Sequence, residues 1–209
     1  MPGRKLSEET RREDILRAAY DVAARRGVEA LTLRAVAERA AVSHGTVLFH
    51  FKRRDELVAT LLDRVIEATA VLQVPDSVER LTQPSERLRA LLHSEMERLS
   101  AEARHFRLFL EYWALGVRNA AIRRRISAAL KAYRSAFRNV ADAVVEAERA
   151  SGSRRVLANS NGHATANGVA AVAVSLVHGC ALQAVIEPKE FDVQEHFDAA
   201  VRMLDRLES

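Results

Sequence analysis

Apolar residues recur at three- and four-residue spacing along almost the whole chain, and the two-residue alternation of a half-buried strand is scarce. The pattern predicts an all-α fold of about nine helices. Thr10 and Glu13 fit a capping box at the start of the first helix. Ile15, Ala18, Ala19, Val22 and Ala23 then form one apolar stripe, and Gly27 suits the residue that closes the helix. Thr32 is placed to cap a second helix that turns Leu33, Val36, Ala37 and Ala40 inward, and Ser43 to cap a third that runs to about Phe51. A fourth begins near Arg54, with Asp55 and Glu56 in its first turn, where negative charge complements the helix dipole.

Val74, Pro75 and Asp76 break that helix. Pro84 and Ser85 open the next, which runs to about Ala103. His105 to Gly116 reads as a short apolar helix and Ile122 to about Ala150 as a long amphipathic one. Residues 151–165 are rich in Gly, Ser and Asn and read as a mobile loop. A long apolar helix follows up to Pro188, and Asp192 with Glu195 can cap a last one along Val193, Phe197, Val201, Leu204 and Leu207.

Composition changes this picture mainly through the placement of charge. Apolar residues make up 48% and charged residues 29% of the 209, a globular balance. Through residue 54 there are twelve Lys and Arg against seven Asp and Glu, an excess of five, while the remainder is one short of neutral. A compact basic segment ahead of a neutral body points to a polyanion partner, although a solvated helix face would read the same way. Cys180 is the only cysteine, so no internal disulfide forms and a reducing, cytoplasmic setting is expected. The first residues lack the apolar run of a secretion signal. Residues 169–186 approach the length of a membrane span, but Ser175, His178, Gly179 and Gln183 interrupt them, so a buried helix is expected and no membrane partner.

Between the second and third helices lie only Ala40, Ala41 and Val42. Two short helices joined this tightly must cross steeply, which is the geometry of a helix-turn-helix. The second of them can then project into a major groove. Ala40, Ala41 and Gly45 supply the small residues of the crossing, and Ser43, His44 and Thr46 supply a polar leading end. The chain carries no phosphate-cradling glycine loop, no paired-cysteine motif and no two-His metal spacing, so no catalytic residue, metal or cofactor is expected and the chain does not read as an enzyme.

Residues 31–57, LTLRAVAERAAVSHGTVLFHFKRRDEL, resemble the DNA-binding region of the TetR family of repressors. The resemblance covers about residues 10–70 and rests on Val42-Ser43-x-Gly45-Thr46, the pair His50-Phe51 and the turn Asp55-Glu56-Leu57. It implies a basic arm over residues 1–9 with Arg4 and Lys5, extended by Arg11, and a DNA-binding domain over 10–54 with its helix-turn-helix at 32–51. A connecting helix over 55–74 and a ligand-binding and dimerisation domain over 75–209 would follow. By the same resemblance Thr32 and Arg34 would hold phosphates. Ser43, His44, Gly45, Thr46 and Val47 would face bases or adjoining phosphates, with His44 and Thr46 setting specificity. Phe49 would also contact DNA, His50 would lie near the backbone, and Lys52, Arg53 and Arg54 would anchor the other side of the groove. Each has a plainer role open to it: Thr32 and Ser43 as caps, His50 as packing, Arg53 as a solvated cation. The family commonly has tyrosine where this chain has Leu48, often a second at Phe49, and glycine where it has Ala41. Leu48 cannot donate the phosphate hydrogen bond of that tyrosine. Ala41 fits if its backbone is not left-handed.

The resemblance also implies a homodimer built through the last two helices, double-stranded operator DNA as partner, and a small apolar or aromatic ligand that releases the protein from a near-palindromic operator. The stretch HGCALQAVIEP, residues 178–188, resembles the dimer helix of one large subset of the family. Candidate ligand contacts are His93, Met96, Phe106, Phe109, Glu111, Trp113, Tyr133, Phe137 and His178, an apolar set with a few polar groups. The same residues would serve equally well as ordinary core. Glu111 beside Tyr112 and Trp113 would suit a cationic aromatic ligand. The competing reading is a helical small-molecule-binding protein whose DNA binding is weak or lost.

Overall fold

A computed structural model describes residues 7–70, 74–150 and 165–206. The expected basic arm at Arg4 and Lys5, the loop at 151–164 and Leu207 lie outside the described residues. Those residues form ten α-helices and no strand. In order these are α1 (Glu8–Arg26), α2 (Leu33–Ala40), α3 (His44–His50), α4 (Arg54–Thr69), α5 (Asp76–Glu79), α6 (Pro84–Ala101), α7 (Ala103–Arg118), α8 (Ala120–Ala150), α9 (Ala166–Ile186) and α10 (Val193–Arg206). A single 3-10 turn, Val28–Ala30, joins α1 to α2. The helix beyond the nine expected is α5, one turn built where the break at Pro75 left room for Val78 to bury.

The chain divides into two compact units. Unit 1 comprises residues 1–68 and 108–126, and unit 2 comprises residues 69–107 and 127–209. On sequence grounds everything after residue 75 belongs to one body, whereas the second half of α7 and the first turns of α8 cluster with the N-terminal helices. No local pattern announces this, because α7 and α8 are each continuous helices that pass from one unit to the other.

In unit 1, α1 buries Ile15, Ala19 and Ala23 against a core that includes Leu31, Val36, Val47, Phe51, Leu57 and Leu61. Phe109 and Tyr112 of α7 are buried with them, and the Tyr112 hydroxyl donates to the Val58 carbonyl at 2.9 Å. The first helix starts earlier than the capping-box pattern predicts. Ser7, not Thr10, is its N-cap, its Oγ accepting from the Thr10 N–H at 3.1 Å, and Glu13 instead pairs with Arg64 at 2.6 Å. In unit 2, α6 packs on α9, and α10 packs on both. Asp192 caps α10 as its spacing predicts, its Oδ1 accepting from the backbone of Gln194 and Glu195.

Candidate nucleic-acid interface

Two caps and one turn fix the helix pair. Thr32 Oγ1 accepts from the Ala35 N–H at 3.0 Å and starts α2, and Ser43 Oγ accepts from the Thr46 N–H at 3.1 Å and starts α3. Between them α2 ends in two reversed hydrogen bonds, from Val42 N to the Ala37 carbonyl and from Ala41 N to the Glu38 carbonyl. This is the Schellman arrangement, which places the residue after the helix in the left-handed region. Ala41 occupies that position with φ 52° and ψ 42°. Alanine fits there without strain only if the backbone is not left-handed; it is left-handed, so the turn carries strain that glycine would avoid.

The turn sets α3 on the surface with one side in the core. Val47 and Phe51 are fully buried, which removes Val47 from the expected DNA contacts: a side chain packed among the helices of unit 1 cannot also reach a base. His44, Gly45, Leu48 and Phe49 stand exposed, Gly45 and Phe49 pointing farthest from that core. Thr46 is half-buried and its hydroxyl lies 2.8 Å from Ser43 Oγ, so its hydrogen bonding is directed into the cap. His50 is half-buried, its ring set edge-on against that of Phe49 with centroids 5.1 Å apart.

The cations divide into committed and available. Arg54 donates from Nε to the Leu31 carbonyl at 2.7 Å and from Nη2 to the Val28 carbonyl at 3.1 Å. It therefore closes the 3-10 turn, and its expected part as an anchor gives way to positioning. Arg39 is paired with Asp21. Among the described residues Arg34 pairs with Glu38, at 3.2 Å and largely in solvent, a pairing weak enough to exchange for a phosphate. Lys52 and Arg53 are exposed, and no ion pair engages either among the described residues. Thr32 is exposed at the start of α2.

The candidate ligand residues fall into both units. Glu111 belongs to unit 1, where its Oε2 accepts from the Val28 N–H at 2.8 Å. That carboxylate holds the turn after Gly27, whose φ of 83° suits glycine, and the cationic-ligand role expected of it is withdrawn. Phe109 is core of unit 1, with Trp113 beside it at 5.8 Å and partly exposed. In unit 2, His93 Nε2 lies 2.7 Å from Gln194 Oε1 and its ring packs on Phe197 of α10. Met96, Phe106, Tyr133, Phe137 and His178 are all buried, and the His178 ring stacks on Tyr133 at 5.7 Å and tilts against Phe106 at 5.9 Å.

Sequence reasoning missed two residues at the centre of that cluster, Glu95 and Arg98. Glu95 is fully buried and accepts from Arg98 at 2.9 Å and 2.7 Å and from the Tyr133 hydroxyl at 2.6 Å. The signal was present: Leu91, Leu92, Glu95, Met96 and Leu99 lie on one stripe of α6, so a carboxylate interrupts an apolar face. Burial and the adjacent carboxylate push the Tyr133 phenol well above its ordinary range, so it stays a donor. Burial lowers His178 to about 4, with Glu95 acting partly against it, so the imidazole is neutral near pH 7. Burial also raises the Cys180 thiol, which argues against a reactive thiolate.

A capped helix pair joined by a tight left-handed turn, with the second helix outward and free cations beyond its end, defines a helix-turn-helix DNA-binding protein. Residues 15–61 match the family described as bacterial regulatory proteins, tetR family. Over these residues the chain carries a DNA-binding region similar to that of the tetR family, and it is a TetR-like helix-turn-helix transcriptional regulator. Over 147 residues, 69% of each chain, it is 29% identical to an uncharacterized regulator of Xanthobacter autotrophicus. Over 51 residues it is 45% identical to a transcriptional repressor of Mycobacterium tuberculosis, covering 24% of this chain and 27% of that one. Among solved structures, a transcriptional regulator from Pseudomonas aeruginosa superposes with a TM-score of 0.72 at 20% identity, covering 98% of this chain and 93% of that one. One from Saccharomonospora viridis, solved in complex with choline, gives 0.71 at 18% identity, covering 95% and 97%. At these identities the structures speak for the fold.

Proposed function

We propose that the protein is a cytoplasmic homodimeric repressor that holds a near-palindromic operator through two copies of α3 and leaves it when a small apolar or aromatic molecule enters unit 2. The observation that carries the reading is the outward face of α3, fixed from behind by Val47 and Phe51 and followed directly by the unpaired Lys52 and Arg53. Two copies set roughly 34–36 Å apart read successive turns of one face of a duplex. Phosphate contacts from Arg34, Lys52, Arg53 and the Thr32 end of α2 set the register, while His44 and its neighbours on α3 face the bases.

The ligand assignment rests on the buried Met96, Phe106, Tyr133, Phe137 and His178 of unit 2, where Tyr133 donates to Glu95 and packs its ring near those of Phe137 and His178. A molecule placed there changes DNA affinity only to the extent that it binds one conformation of the dimer better than the other.

The test is selection of bound duplexes from a random pool, followed by binding across a range of salt concentrations. Wild-type protein enriches a sequence with two related half-sites. Arg53→Ala binds every sequence more weakly, and its salt slope falls by about one for each phosphate that the arginine neutralises. A flat, unenriched pool argues for the competing reading of a small-molecule-binding protein without an operator.

A further inference from the structure

The exposed side of α3 carries two apolar side chains that remain in water. His44, Gly45, Leu48 and Phe49 follow at i, i+1, i+4 and i+5 and so share one side of the helix. Leu48 is 39% and Phe49 66% exposed, while Val47 between this side and the core is fully buried. The edge-on contact with His50 gives the Phe49 ring a defined direction. Gly45 adds clearance, because a Cβ there would meet only Ser43 Oγ, at 3.7 Å. The backbone of α3 can therefore approach a partner closely beside Leu48.

Charge identifies the partner as a duplex. Lys52 and Arg53 follow the patch within five residues and Arg34 stands exposed on the preceding helix α2, so the apolar pair belongs to a basic segment of the chain. Leu48 and Phe49 can neither donate nor accept a hydrogen bond. In the major groove one base edge offers an apolar feature, the C5-methyl of thymine. Building on the DNA-binding reading above, we propose that Leu48 and Phe49 are specificity-determining residues that read thymine methyl groups in the operator, with Gly45 providing the close approach.

A duplex enriched by the wild-type protein is remade with deoxyuridine at single thymines, which deletes the methyl and keeps the base pair. Affinity is measured by fluorescence anisotropy at fixed salt. Wild-type protein binds about fourfold more weakly at each thymine that is read, the worth of one buried methyl. Leu48→Ala and Phe49→Ala show that weakening already with thymine and then bind both duplexes alike, with unchanged melting temperature. Leu48→Met restores the preference. Equal wild-type affinity for the two duplexes overturns the inference, as does full discrimination by both alanine variants. A change in oligomeric state of the DNA-free variants also overturns it, since the patch would then serve a protein contact. A pool that enriches no duplex removes the DNA reading and this inference together, whereas an enriched duplex without a methyl effect removes the inference alone.

Discussion

Ala41 shows how a single residue records a compromise. Its left-handed backbone is demanded by the hydrogen bonds that end α2, and a Cβ in that region costs roughly 1–2 kcal/mol. Glycine removes the strain but returns some freedom to the unfolded chain. Ala41→Gly is therefore expected to stabilise the protein by about 0.5–1 kcal/mol, read as a higher urea midpoint with an unchanged slope. An unchanged or lower midpoint would mean that the turn carries no such strain. At this scale the sequence was legible wherever chemistry and position coincide. Thr32 and Ser43 had to be caps because a small hydroxyl stood before each apolar stripe. It was illegible where a side chain acts at long range. Nothing near Arg54 or Glu111 shows that both hold the turn Val28–Ala30, because their partners are carbonyls and an N–H up to 83 residues away. Val47 was misassigned for a related reason: on a seven-residue helix the core side and the reading side are one residue apart.

At the scale of the element, α6 illustrates what periodicity reveals and conceals. Its stripe of Leu91, Leu92, Met96 and Leu99 was readable as a buried face, but the carboxylate within it needed Arg98 one turn on and Tyr133 on α8 to be tolerable. The Glu95–Arg98 pair has little access to water, so removing the carboxylate takes from Arg98 its nearest counter-charge and from the buried Tyr133 hydroxyl its acceptor. Glu95→Leu is expected to destabilise by about 3 kcal/mol. The double change Glu95→Leu with Arg98→Leu should recover part of it, since no charge is left to desolvate while the Tyr133 hydroxyl still lacks its acceptor. Chemical denaturation of the three proteins decides this, and a double variant as unstable as the single would show that the pair is worth more than its desolvation. The helices themselves were legible because all of the longer ones bury a stripe. The exception, α5, is a single turn too short for any period to appear.

Across the whole molecule, one apolar surface that a single chain leaves uncovered is the outer face of α9. Val172 is 52% and Ile186 69% exposed, Leu182 stands on the same side, and a Cβ added at Gly179 would meet nothing within 4 Å. By length and composition α9 could cross a membrane. A two-fold copy laid against the same face would instead bury it in a four-helix arrangement with α10, as the dimer proposal requires. Ile186→Glu and Val172→Asp are expected to shift the protein from dimer to monomer in light scattering at concentrations where the wild type is dimeric, while the helical content is kept. A persistent dimer would place the interface elsewhere. The apolar character of α9 was plain in the sequence, but which of its sides stays uncovered depends on where α6 and α10 pack, and that is a property of the assembled unit.

The hydrogen bond from the Val28 N–H to Glu111 has a practical corollary for anyone building hybrid regulators. Unit 1 is assembled from two separated stretches, so a chimera spliced near residue 70 receives the reading helices without the α7 segment that packs Phe109 and Tyr112 beneath them and ties down the turn after Gly27. Such a graft begins with a hole where two aromatic rings belonged. A transplant that carries residues 108–126 along with the N-terminal helices keeps the module whole, and the number of splice junctions rises from one to three.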